Sequence, residues 1–261
     1  MKKKVIFVLV LGVLVSLGLL APSKLREEPE ERPATPISTT DLLRAHHVLQ
    51  NLDVLSVFVA EAERTTSYAV GPHSELPGSF KRNVTVARYG QVFKYSRADM
   101  MGLTKQFDLF DGSATHHAVT AKGNLVEEAN QPGDSPSEAV AFEIKTFGLL
   151  PILRQLADPK TESVYVGRTA QRLEELQVKT PTKTWTVYAD SDHLIRRVEF
   201  RDNTIDYEDY RVVDGVWLPF AQRFFLGGRL YYELSFNKID LKPKFPSDYF
   251  SHEAFLKEIA R

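Results

Sequence analysis

The sequence predicts an α+β fold, in which an antiparallel sheet of consecutive hairpins is covered by a few apolar helices. Three observations point there. Apolar runs are repeatedly split by turn dipeptides such as Asp-Gly and Gly-Gly. The flanking runs alternate apolar and polar residues with the period of a half-buried strand. Helical spacing is confined to two regions.

The chain of 261 residues opens with Lys2–Lys4 and then an uncharged apolar run, Val5–Ala21. Charge followed by an apolar run is the order of an export signal, and as a helix it would reach roughly 25 Å. Residues 1–21 therefore read as a signal peptide or an uncleaved membrane anchor. Leu19 and Pro22 fit a cleavage site poorly, and both outcomes stay open. Either way the rest of the chain is exported and the lysines stay on the cytoplasmic side. Residues 22–37 carry four prolines and four glutamates, too polar to pack, and read as an extended tether. Residues 38–261 are sized for one domain.

Ser38 with Asp41 three positions on forms a capping-box pattern, and Leu42, Ala45, Leu49 and Leu52 recur at helical spacing, which predicts a helix over Thr39–Leu52. A second helical region opens at Ser135, with Pro136 in its first turn and Glu138 completing the box. Ala139, Phe142, Ile144 and Phe147 follow. Gly148 breaks the run, and Pro151 opens a short helix, PILRQLA. Hairpin turns are expected near Tyr89-Gly90, at Asp111-Gly112, over Asp190–Asp192, at Asp202-Asn203, at Asp214-Gly215 within YRVVDGVWLPF, and at Gly227-Gly228. Leu230, Tyr232, Leu234 and Phe236 should share a face, as should Leu218, Phe220, Phe224 and Leu226. Pro219 lacks a ladder donor and is expected at an edge or a strand start. Such a sheet must cover its apolar face, either by closing into a barrel or by staying open beneath the helices. The helices then complete a dry core or enclose a removable apolar guest.

Lysine plus arginine number 33 against 34 acidic residues, so no basic excess suggests nucleic acid. The absence of cysteine removes disulfides, thiolate metal sites and a lipidated N-terminal cysteine. His46-His47 and His116-His117 read as surface or turn histidines, because neighbouring residues point to different sides of an element. Asp190, Asp192, Asp202, Asp206 and Asp209 read as turn residues. No phosphate loop, nucleophile elbow or dinucleotide fingerprint appears, so neither a cofactor nor an enzyme activity is expected.

VARYGQVFKY has an arginine after a strand and a returning Phe-x-aromatic ending. FDLFDGSATHHAV has an Asp-Gly turn closing one strand and opening the next. A C-terminal run leads from TWTVYADSDHLIRRVEF through DYRVVDGVWLPF to YYELSFNKIDLKPKFPSDYFS. Together, over about residues 39–251, these stretches resemble the periplasmic lipoprotein carriers, LolA-like proteins whose fold the LolB receptors share. The resemblance implies an open antiparallel β half-barrel covered by amphipathic helices, preceded here by the signal or anchor helix. In the family the acyl chains of a lipoprotein lie between the sheet and a helical lid, and an arginine on the second strand hydrogen-bonds the lid shut. The matching position is Arg88. If VTVAR is a strand, Val84, Val86 and Arg88 share one face, and a cation there needs partners unless it reaches water beside the turn. The expected cavity lining is Val84, Val86, Phe93, Tyr95, Phe107, Phe142, Phe147, Leu150 and Leu153. The implied function is a non-enzymatic periplasmic binder or carrier of lipid or lipoprotein acyl chains. The alternative is a membrane-tethered interaction or sensor module that binds a protein of the inner or outer membrane.

Overall fold

The computed structural model describes residues 36–50, 52–67, 79–99, 103–112, 114–132, 148–180 and 183–259. The signal or anchor segment, nearly all of the tether and the Ser135–Phe147 helical region lie outside them. No helix among the described residues is long and apolar enough to cross a membrane. Ile37, assigned by sequence to the tether, is buried in the core.

Helix α1 (Thr39–Ala45) starts as its capping box predicts: the Ser38 side chain accepts from the Asp41 amide, and the Asp41 carboxylate accepts from the Ser38 amide at 2.9 Å. It ends well before the predicted Leu52. His46 is its C-cap, and His47 takes a left-handed φ of 59°. The Val48 amide then bonds back to the Leu43 carbonyl at 3.0 Å, and the His47 amide to that of Arg44 at 2.9 Å. This is a Schellman ending with histidine where glycine is usual. Val48 is fully buried by it, whereas Leu49 and Leu52, which prolonged the helical pattern, are exposed. A 3-10 turn over Leu52–Leu55 leads into the sheet.

Among the described residues thirteen strands form one antiparallel sheet. They are β1 (Val57–Ser67), β2 (Ser79–Tyr89), β3 (Val92–Asp99), β4 (Thr104–Phe110), β5 (Ala114–Ala121), β6 (Asn124–Pro132) and β7 (Glu162–Arg168). The remainder are β8 (Glu174–Lys179), β9 (Thr184–Ala189), β10 (Ile195–Phe200), β11 (Asn203–Val213), β12 (Val216–Leu226) and β13 (Arg229–Asp240). The order β6-β5-β4-β3-β2-β1-β13-β12-β11-β10-β9-β8-β7 makes the connectivity plain. The chain enters mid-sheet, winds outward by hairpins to β6, crosses to the far edge, and winds back until β13 pairs with β1 from Val59↔Asp240 to Thr66↔Tyr232. The sheet stays open, with β6 and β7 as its edges. Helix α2 (Leu150–Leu156) lies on the crossover, with Pro151 in its first turn.

Asp214 and Gly215 both have positive φ, 49° and 86°, between the paired Val213 and Val216, as a two-residue primed turn requires. Gly227-Gly228 does the same between β12 and β13. Two expected turns move by one residue, to Gly90-Gln91 and Arg201-Asp202. Pro219 lies inside β12, opposite Tyr210, and not at a strand start. Pairing of β12 with β13 begins only at Ala221, so the proline faces no ladder on that side. Leu230 departs from its expected row because a bulge shifts register between Phe224 and Phe225. Leu226, at the turn, is exposed.

One apolar cluster joins Leu42 and Leu43 of α1, Val54 and Leu55, the α2 residues Leu150, Ile152, Leu153 and Leu156, and the sheet face beneath them. A C-terminal helix that the sequence reading did not anticipate, α3 (His252–Ile259), packs Phe255 and Ile259 on Phe107, Leu109 and Ala118 in a separate cluster.

Candidate functional site

The sheet face in the α1–α2 cluster includes residues of β1, β2 and β3. Register places Phe58, Arg88 and Phe93 in one row, Ala60, Val86 and Tyr95 in the next, and Ala62, Val84 and Arg97 in the third. Six of the expected lining residues meet in the apolar cluster: Val84, Val86, Phe93, Tyr95, Leu150 and Leu153. Phe107 does not join them. Its register partner is Ser96, one step out of phase with Tyr95, and it belongs to the cluster under α3. Phe142 and Phe147 lie outside the described residues. Gly148, just beyond them, passes so close to the sheet that a Cβ there would meet Phe236 Cζ at 3.2 Å.

Arg88 is 1% exposed, and its side chain shares the face of Val84 and Val86. The route to water past the hairpin turn is therefore not the one it takes. A guanidinium between two phenylalanines on an apolar sheet face carries a large desolvation cost, which makes it the least expected residue of the core.

Two β2 steps beyond Val84, the same face turns polar. Arg82 lies directly opposite Arg64 of β1, and Arg97 sits diagonal to it on β3. Arg82 and Arg97, with Thr104, Gln106, His117 and Val119, line a cleft of about 440 Å³. The Arg64 guanidinium lies 4.1 Å over the Tyr232 ring and that of Arg82 lies 4.5 Å over Phe80. Burial, and next the charges of Arg97 and Arg64, lower the Arg82 pKa from its ordinary value. In the cleft floor, His117 Nδ1 donates to Asp108 Oδ1 at 2.6 Å, and Gln106 Nε2 donates to Asp108 Oδ2 at 3.1 Å.

His46 and His116 are buried, against the expectation of surface or turn positions. His46 Nδ1 donates to the Trp217 carbonyl at 2.8 Å, its Nε2 accepts from the Ile195 amide at 3.2 Å, and its carbonyl accepts from the Trp217 amide at 3.2 Å. It thus serves both backbone groups of Trp217 in the stretch of β12 that β13 leaves unpaired. Burial pushes its pKa down to about 4. His116 Nε2 bonds Asp111 Oδ2 at 2.9 Å, and its ring stacks on His252 at 4.2 Å. Of the aspartates expected at turns, Asp190 caps its loop by accepting from the Asp192 and Leu194 amides, whereas Asp206 lies within β11 and pairs with Arg197. Among the described residues no three His, Asp or Glu side chains are grouped to hold a metal ion.

No protein-family model matches the sequence, and no curated protein matches it. Solved structures do. A DUF1329 family protein from Desulfovibrio piger superposes with a TM-score of 0.53 at 11% identity, covering 83% of this chain and 96% of its own. A LolA superfamily protein from Nitrosomonas europaea gives 0.53 at 12% identity, covering 84% and 99%. The fold is LolA-like. At these identities the likeness carries the architecture and nothing of the ligand. The arginines at the polar end were missed by the sequence reading, although extending the Val84–Val86–Arg88 alternation back two residues reaches Arg82.

Proposed function

We propose that the chain is a non-enzymatic periplasmic binder or carrier of apolar ligands, taking the acyl chains of a lipoprotein or lipid between the LolA-like sheet and its helices, with Arg88 as the latch. The observation that carries this reading is Arg88 itself. A charge sunk in the apolar sheet face is costly in a purely structural core and useful in a lid that must open. Binding would draw on burial of the chains, at about 0.8 kcal/mol per methylene. The lining comprises Val84, Val86, Phe93, Tyr95, Leu150 and Leu153.

Native mass spectrometry of the full chain purified from a bacterial periplasm or inner membrane tests this. Lipid or acylated peptide that co-purifies, and whose retention changes in Arg88→Leu, supports the carrier. Protein that stays bare after incubation with lipoprotein overturns it. Retention and amide protection over α1 and α2 that are identical in wild type and Arg88→Leu would leave the carrier and remove the latch.

A further inference from the structure

We propose that Arg64, Arg82 and Arg97 form a phosphate site at the polar end of the α1–α2 face, so that the preferred ligand is an amphiphile with a phosphate head here and acyl chains along β2. The second half of this inference rests on the carrier reading; the anion site stands on its own geometry.

Three cations share one sheet face across adjacent strands, two of them directly opposite each other. Like charges so placed repel, and structural arginines at such positions normally meet carboxylates. Among the described residues none of the three has an ion-pair partner. The nearby acids are committed elsewhere. Asp108 is held by His117 and Gln106, and Asp99, which faces Arg82 across the hairpin, accepts from the Leu103 and Thr104 amides at 2.9 Å each. Among the described residues the buried Arg64 Nε has no hydrogen-bond acceptor. Stacking of Arg64 on Tyr232 and of Arg82 on Phe80 occupies guanidinium faces and leaves their in-plane N–H edges for an oxyanion. Arg82 and Arg97 open onto the cleft, whose volume of about 440 Å³ suits a head group. Three positive charges with no ion-pair partner among the described residues match a phosphate, which carries about −1.5 to −2, better than a single carboxylate. From Arg82 to Arg88 is six residues of β2, roughly 20 Å, through the apolar rows of Val84 and Val86. A head at the arginines therefore leaves its chains lying toward the latch.

The test compares binding of dioctanoyl phosphatidic acid, dioctanoylglycerol and inorganic phosphate to the full chain and to the variant Arg82→Gln, Arg97→Gln, by calorimetry. The expected result is phosphatidic acid bound about tenfold or more tighter than dioctanoylglycerol, with the advantage lost in the variant while dioctanoylglycerol binding is unchanged. The variant should melt no lower than wild type, because repulsion is removed; a structural role would lower its melting temperature. Equal binding of the two lipids, or an advantage that survives in the variant, overturns the phosphate site. If neither lipid binds, the carrier reading fails, and the phosphate arm still decides. Phosphate bound by wild type and not by the variant upholds a site for free phosphate, and phosphate bound by neither ends it.

Discussion

His46 shows how much one side chain can fix. It closes α1, replaces a missing strand beside Trp217 and receives the Ile195 amide, all in the neutral form with its proton on Nδ1. A second proton on Nε2 would destroy the bond to Ile195 and put a charge on a fully buried ring. Its pKa of about 4 in the folded chain lies below the ordinary 6.5, so the unfolded chain takes up the proton first. The contribution of His46 is whole above pH 6.5 and is lost as pH falls toward 4, which amounts to about 3 kcal/mol. Denaturant unfolding at a series of pH values should show that loss, and His46→Gln should be flatter across the same window while less stable at pH 7. An unchanged slope in the variant would assign the pH dependence to other groups. The neighbouring His47 offers a simpler change. Its left-handed φ suits glycine, so His47→Gly should stabilise by about 0.5 kcal/mol or slightly more in thermal unfolding. The bond from His47 to the Gly215 carbonyl, exposed and 3.2 Å long, is a small loss against that.

Among the elements, α3 has the least sequence signal and a clear anchor. Lys94 of β3, nearly buried, pairs with Glu258 and lies 4.8 Å from the Tyr249 ring, while Phe255 fills the cluster over β4 and β5. Phe255→Ala should cost about 3 kcal/mol or more of docking, and hydrogen exchange should show α3 losing protection while β10–β13 keep theirs. Glu258→Ala strands the lysine and should destabilise more than Lys94→Met combined with Glu258→Leu, in which both charges are gone. Loss of protection throughout the sheet in Phe255→Ala would show α3 to be part of the main core. These elements also show what the sequence could disclose. Hairpins with Asp-Gly or Gly-Gly turns were legible because the turn chemistry is local, down to both positive φ values at Asp214-Gly215. The Lys122-Gly123 turn was not, since its first residue is an ordinary lysine held at φ 52° by the pairing around it. The early end of α1 was hidden because His46 is claimed by β10 and β12, some 150 residues away in the chain. Of the site, the Val84–Val86–Arg88 face was readable from alternation. Phe107 was misplaced because it shares with Leu109 the β4 face under α3, whereas Gln106 and Asp108 lie on the face toward Arg97 and Tyr95.

At the scale of the whole molecule, the outward ladder β1–β6 and the inward ladder β7–β13 are joined through a single seam, β1 against β13. Nevertheless one apolar cluster crosses that seam, from Phe93 and Val86 on one side to Phe236, Tyr207 and Trp185 on the other. Neither ladder can bury its face alone, so the two should unfold together. Both tryptophans, Trp185 and Trp217, lie in the inward ladder and report on it, while amide exchange in β2 and β3 reports on the outward one. In wild type the fluorescence transition and the loss of β2–β3 protection should fall at the same denaturant concentration. Phe236→Ala cuts the core at the seam, opposite Ala62, where the register already shifts between Glu61 and Ala62. It should cost about 3 kcal/mol or more and slow refolding, because pairing of the first strand with the last is the most distant contact the chain must make. If the two probes separate in this variant, with the inward ladder outlasting the outward one, the seam is what couples them. Coincident transitions with an unchanged refolding rate would mean that α1 and α2, lying across both ladders, hold the molecule together without it.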